Sequence, residues 1–306
     1  MRFLIIMLII ILVVLAILYF VIGNYFYNIA LNPNTSKSYV LGEIETKIDE
    51  GETWLSKNSE SVYINSSNNG KLKLHGYEIK NPRESNIWAI VVHGYYGKGR
   101  DMTYYAEQYF NRGYNVLLVD LRGHGNSQGD YIGMGWHDRL DLIDWANYLI
   151  SKKSDCQIIL HGVSMGAATV MMATGEDLPS NIKVAIEDCG YTSIWDEFEM
   201  QLKVLFDLPS FPVLNAASAV CKIKAGYGLK DGSAVEQVRK SKTPTLFIHG
   251  DQDRFVPFEM LEVLYDAANC DKQKLIVEGA AHAESVGVNQ NLYWETIDEF
   301  VGRYIG

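Results

Sequence analysis

Residues 158–173 read IILHGVSMGAATVMMA, and their order governs how the rest of the chain is read. Ile158, Ile159 and Leu160 form an apolar run suited to a strand covered on both faces. From Met165 onward, Ala167, Ala168, Met171, Met172 and Ala173 are good helix formers. Ser164 therefore falls on a turn of a few residues between strand and helix, with Gly162 and Gly166 two positions to either side. Side chains at those two places would collide across so sharp a turn, and glycine removes the collision. The result is a hydroxyl held out at the tip of a sheet beside the positive end of a helix, as in a nucleophile elbow. A glycine-rich turn that merely contains serine is the plainer reading. The rest of the chain decides between the two.

Of the 306 residues, positions 3–22 carry no charge and no proline. Twenty apolar residues suffice to cross a ~30 Å hydrocarbon layer as a helix. A cleaved signal peptide has a shorter apolar core, about 7–15 residues, ending at a small-x-small site. GNYFYNIALNP offers none, so residues 1–30 are expected to be an uncleaved, single-pass anchor in the cell membrane. Arg2 precedes the span, and Lys37 is the first cation after it, followed by Glu43, Glu45, Asp49 and Glu50. That asymmetry places the N-terminus in the cytoplasm and the remainder outside. A net charge of −10 without a basic cluster argues against nucleic acid as a partner. Cys156, Cys189, Cys221 and Cys270 have neither C-x-x-C pairing nor ligand spacing, so no metal and no cofactor is expected. Cys156 and Cys189 adjoin apolar strands and read as small buried hydrophobes.

Residues 31–60 are polar and irregular, a stalk with room for one short helix, and a catalytic domain is expected over 61–306. VYINSSNNGKLKLHGYEI alternates around Asn69-Gly70 and predicts a hairpin. Strands then alternate with helices. IWAIVV (87–92) leads to a helix at 102–112, and NVLLVD (115–120) to one at 136–150. IILHG leads to the elbow helix and is followed by VAIED (184–188). TLFIHG (245–250) leads to a helix at 258–269, and KLIVEG (274–279) to one at about 292–304. Such units predict a mostly parallel sheet with helices on both faces. The stretch at about 190–242 is too long and too aromatic for a simple loop, and reads as a short helical lid.

A serine hydroxyl needs a base to take its proton, and the base needs an acid to fix its tautomer. Of seven histidines, only His282 lies beyond TLFIHG, in the small-residue loop EGAAHAES. With a mid-chain elbow, the partners follow in the order serine, acid, histidine, so His282 is the expected base. Asp251, Asp253 and Asp188 are all placed to be the acid, and spacing does not choose among them. The backbone N–H of Met165, directly after the serine, is one expected oxyanion donor. HGYYG (93–97) ends the first strand of the alternation and supplies the N–H of Tyr95 as the second.

Five segments in order, HGYYG, DLRGHGNS (120–127), GVSMGA (162–167), HGDQDRFVP (249–257) and GAAHAES (279–285), make the chain resemble an α/β-hydrolase from about residue 87 to 304. It is most similar to membrane-tethered bacterial serine hydrolases of the serine aminopeptidase and prolyl-oligopeptidase-like branch. The resemblance implies Ser164 as nucleophile, Asp253 rather than Asp251 as acid, and His282 as base, with Tyr95 and Met165 as oxyanion donors. DLRGHGNS is then a structural loop around Arg122, in which His124 is a packing residue. The leading expectation is a carboxylic ester hydrolase working through an acyl-enzyme. Tyr96, Trp195 and Phe198 would wall a small pocket for acyl chains of roughly two to eight carbons. A peptidase or thioesterase on the same triad is the alternative. The aminopeptidase form would need Asp196, Glu197 or Glu199 in the pocket, although these fit better as a solvated helix face. A silent surface binding module is the third reading. Deleting residues 1–30 is expected to release a soluble, active domain.

Overall fold

The computed structural model describes residues 1–36, 50–68 and 71–306. Eight strands form one sheet in the order β1-β2-β4-β3-β5-β6-β7-β8. They are β1 (Ser59–Asn65), β2 (Lys73–Ile79), β3 (Ile87–Val92), β4 (Asn115–Val119), β5 (Gln157–Val163), β6 (Ile182–Asp188), β7 (Thr245–Gly250) and β8 (Lys272–Val277). β1–β2 and β2–β4 pair antiparallel, and every later pairing is parallel. β1 and β2 flank the expected hairpin, but its Asn69-Gly70 turn lies outside the described residues, as does the stalk segment 37–49.

The helices are α1 (Arg2–Leu31), α2 (Glu50–Asn58), α3 (Thr103–Asn111), α4 (Asp138–Lys152), α5 (Met165–Thr174), α6 (Ile194–Phe206), α7 (Ser210–Ala225), α8 (Ala234–Val238), α9 (Glu259–Ala267), α10 (Ser285–Val288) and α11 (Gln290–Val301). Alternate residues of the central strands serve two separate cores, one on each face of the sheet. Ile90, Val92, Ile158 and Leu160 enter one core. Ala89, Val91, Ile159 and Val163 enter the other. That division explains why the strands read as unbroken apolar runs rather than alternating ones.

The register of β3 on β5 sets Val92 beside Gly162. The chain following β3 therefore meets the elbow at the carboxyl edge of the sheet, where open α/β sheets gather their chemistry. DLRGHGNS is structural, as expected. Arg122 is fully buried, with Nε and Nη2 each 2.8 Å from Asp141 and Nη1 2.7 Å from the Tyr131 hydroxyl. His124 is buried, its ring packed on that of His93 at 4.9 Å. Cys156, Cys189 and Cys221 are buried free thiols.

α1 departs from a free-standing anchor. It is one continuous helix, long and apolar enough to cross a membrane. Its side chains are exposed up to Ile22 except for half-buried Tyr19, after which Gly23, Tyr27 and Leu31 are buried at four-residue spacing. That stripe packs on α7. A Cβ at Gly23 would run into the carbonyl oxygen of Ala216, and Lys224 Nζ donates to Asn24 Oδ1 at 2.7 Å. The folded unit thus includes the last third of α1, and Leu55 of α2 belongs to the core as well.

Candidate active site

Ser164 caps α5 with φ 57° and ψ −118°, a left-handed conformation that few side chains adopt. Its surroundings leave no alternative to small residues. A Cβ on Gly162 would strike the Gly166 carbonyl oxygen, and one on Gly166 would strike that of Val92. Gly94 lies so near that its Cβ would stand 3.3 Å from Ser164 Cβ. The Ser164 amide donates to the Asp188 carbonyl at 2.8 Å, which pins the turn to β6. The strain stays local because the two strands and α5 hold the turn from both sides.

Ser164 Oγ lies 2.8 Å from His282 Nε2, and His282 Nδ1 lies 2.7 Å from Asp253 Oδ2. Asp253 follows β7, and His282 occupies the loop between β8 and α10, so three strand ends converge on one point. The other oxygen of Asp253 accepts from the amides of Phe255 and Val256, both at 2.9 Å. Burial alone would raise this carboxyl, but hydrogen bonds from His249 and His282 pull it down to about 2. It is therefore a carboxylate at any pH where a histidine beside it titrates. The Phe255 ring lies over the imidazole of His282, 4.8 Å between centroids.

The two other aspartates are otherwise occupied. Asp251 Oδ1 accepts from the Gly279 amide at 2.7 Å and ties the loop after β7 to the turn after β8. Asp188 accepts from the Tyr293 hydroxyl at 2.9 Å, and burial pushes it up to about 6. His249, which carried no role in the sequence reading, is a supporting partner: its Nε2 sits 3.2 Å from Asp253 Oδ2 and 3.0 Å from the Val256 carbonyl. Its place at the end of the predicted strand TLFIHG, four residues before Asp253, was the available signal.

Cys189, Asp253 and His282 bring three possible metal ligands within 4.8 Å of one another. Burial drives the thiol well above its ordinary value, and the carboxylate and imidazole engage each other.

Met165 opens α5, so its N–H points out of the first turn with no partner in the preceding helix. Tyr95 follows Gly94, and its hydroxyl donates to the Ala30 carbonyl in the last turn of α1 at 2.6 Å. Ser164 and Tyr95 open into an apolar pocket. Phe198 lines it, as expected, but Tyr96 and Trp195 do not. Tyr96 has φ 64°, which turns it out to solvent. Trp195 is covered by Lys230, whose Nζ sits 4.2 Å from its ring centre.

Among the walls that sequence reasoning missed are Phe26, Tyr27, Ile29, Ala30 and Leu31 of α1. Glu197 was also misjudged. Asp196 and Glu199 are exposed, but Glu197 is only 4% exposed and lines the pocket. It accepts from Gln201 Nε2 at 3.0 Å, and burial pushes its carboxyl up to about 8.

A family model for X-Pro dipeptidyl-peptidase (S15 family) matches residues 78–225. Uncharacterized protein YqkD of Bacillus subtilis is 30% identical over 232 residues, 74% of this chain and 76% of that protein. AB hydrolase superfamily protein YisY of the same organism is 25% identical over 210 residues, 57% of this chain and 77% of its own length. The Pyrococcus furiosus esterase Pf2001 superposes with a TM-score of 0.69 at 22% identity, over 86% of this chain and 97% of that one.

Proposed function

Because the chain belongs to the α/β-hydrolase superfamily and is a hydrolase, we propose that it cleaves carboxylic esters through Ser164, His282 and Asp253. The observation that carries this reading is the unbroken relay of 2.8 Å and 2.7 Å that ends on the strained serine. His282 Nε2 takes the hydroxyl proton as Ser164 Oγ attacks the ester carbonyl carbon. The developing oxyanion is met by the N–H groups of Met165 and Tyr95. Collapse breaks the bond to the leaving alkoxide, which receives the proton from His282, and an acyl-enzyme remains. Water then attacks that carbonyl with His282 again as base, releasing the acid and restoring the serine. Asp253 stays ionised throughout and holds the imidazole with Nε2 toward Ser164. A fluorophosphonate probe tests this directly. It should label the wild-type protein and not Ser164→Ala; an unlabelled wild type would leave a binding module as the reading.

Peptide substrates are the second reading, favoured by the S15-family match and by Glu197 in the pocket wall. Burial keeps Glu197 mostly protonated at neutral pH, which makes it a poor anchor for a peptide ammonium. If peptides are the substrates, Glu197→Gln should selectively abolish turnover of an aminoacyl p-nitroanilide. On the ester reading, that variant cleaves p-nitrophenyl butyrate nearly as well as the wild type. α1 anchors the protein, with the catalytic domain on the outer side as the charge asymmetry around it favours. Added protease should then digest the domain on intact cells while cytoplasmic proteins survive.

A further inference from the structure

The geometry points to a site that draws its substrate from the bilayer, a lipid ester whose long acyl chain passes between the foot of α1 and the α6–α7 lid. The proposal rests on the ester-hydrolase reading above and names the substrate class. Residues 3–22 fill the ~30 Å hydrocarbon layer, and headgroups add about 5–7 Å on each side. Phe26 lies about 6 Å further along the helix axis than Ile22, and Leu31 about 13 Å. Phe26 and Leu31 both wall the pocket that holds Ser164. The pocket wall therefore begins at headgroup depth, and one unbroken helix runs from the lipid to the site.

The lid presents the matching surface. Phe206 at the end of α6 packs edge-on against Phe26, ring centres 5.3 Å apart. In the same stretch of chain, Val204 is 67% exposed and Phe211 74% exposed. On α7, Ile223 is 72% exposed, next to the Lys224 that bonds Asn24, two positions past the apolar span. Large apolar side chains are exposed on both lid helices, and α7 packs on the foot of α1; such a surface is suited to meet lipid. The pocket lining is apolar apart from a few groups such as Ser164, Glu197 and Gln201. Each methylene buried there is worth up to about fourfold in binding.

This alters the chain-length expectation drawn from the sequence. A lid closing a small volume would stop the gain near eight carbons. On this proposal the acyl chain leaves the pocket along α1 toward the headgroups, and the gain has no such stop.

The test uses the full-length protein in vesicles of ether-linked phosphatidylcholine, which contain no ester bond. 1-Oleoylglycerol is supplied as a minor component of the vesicles and p-nitrophenyl butyrate in the water. The proposal expects kcat/KM for the oleoyl ester to exceed that for butyrate by about tenfold or more. The double variant Val204→Asp with Ile223→Asp should lower that ratio by about tenfold, with fluorophosphonate labelling of Ser164 confirming a folded site. Butyrate cleavage with no oleoyl preference, or a ratio unmoved by the double variant, would overturn the bilayer route and leave the ester reading standing. If neither ester is cleaved and Ser164 is not labelled, the reading beneath the proposal fails, and the proposal with it.

Discussion

Ser164 is held at φ 57° by glycines that cannot be replaced without backbone collisions, so the proposed nucleophile is also the strained residue. Ser164→Ala keeps the backbone and removes only the hydroxyl. Ester turnover should fall by about 10³–10⁶-fold while the unfolding midpoint barely moves. Adding His282→Ala should cost little more than either change alone, because the pair acts as a unit; losses that multiply would show two independent groups. Asp253→Asn should also cost orders of magnitude, since the amide would hold the imidazole in the wrong tautomer. Asp251→Asn should be near neutral, because its bond to the Gly279 amide survives as an amide oxygen. A fast Asp253→Asn enzyme would move the acid elsewhere. Ser164 and His282 were legible from chain order and from glycine spacing. Spacing left three aspartates open and only the resemblance singled out Asp253, because the choice depends on which carboxyl faces an imidazole in space. Tyr96 was read as a pocket wall because composition says nothing of a left-handed φ that turns a ring away.

At the scale of elements, the strands and the helices between them were legible because two covered faces demand apolar runs. The role of α1 was hidden for a related reason. A helix that is apolar all round is read the same way whether lipid or protein covers it. Gly23 and Asn24 break the apolar run, and their meaning depends on α7, some two hundred residues away. The expectation that residues 1–30 can be removed without consequence does not survive this packing. A protein beginning at residue 23 should retain its ester turnover in detergent. One beginning at residue 32 should lose most of it, having lost Phe26, Ile29, Ala30 and Leu31 from the pocket. Gly23→Val should force α1 off α7 and destabilise by about 1–3 kcal/mol, the usual cost of overpacking. Paired thermal melts and ester assays would show it, and an unchanged melt would mean that α1 does not seat on the lid.

Across the whole molecule, the carboxyl edge of the sheet concentrates buried acids, and this sets how stability responds to pH. Burial pushes Glu187, at the end of β6, up to about 8, as it does Glu197 in the lid. Between the ordinary value of 4.5 and about 8 the folded state keeps protons that the unfolded chain has released. Stability from these two groups therefore falls as pH rises through that window, by up to about 1.4 kcal/mol per pH unit for each. Asp253 acts oppositely and lower down. Its contribution is complete above 3.8 and is lost only as pH falls toward about 2. Buried neutral histidines oppose the glutamates in mild acid: His137 is pushed down to about 4 and His161 to about 3, so the unfolded chain is the one that binds protons below 6.5. Above 6.5 that opposition ends. His249, raised by its bond to Asp253 against its burial, then loses its own stabilising proton and adds to the glutamates' effect. The clean window is thus about pH 6.5–8, where the unfolding midpoint should fall steadily. Glu187→Gln should flatten that slope, and adding Glu197→Gln should flatten it further, because an amide has no proton to lose. If the midpoint is level or rises from pH 6.5 to 8 in the wild type, these two acids are not held neutral by the fold.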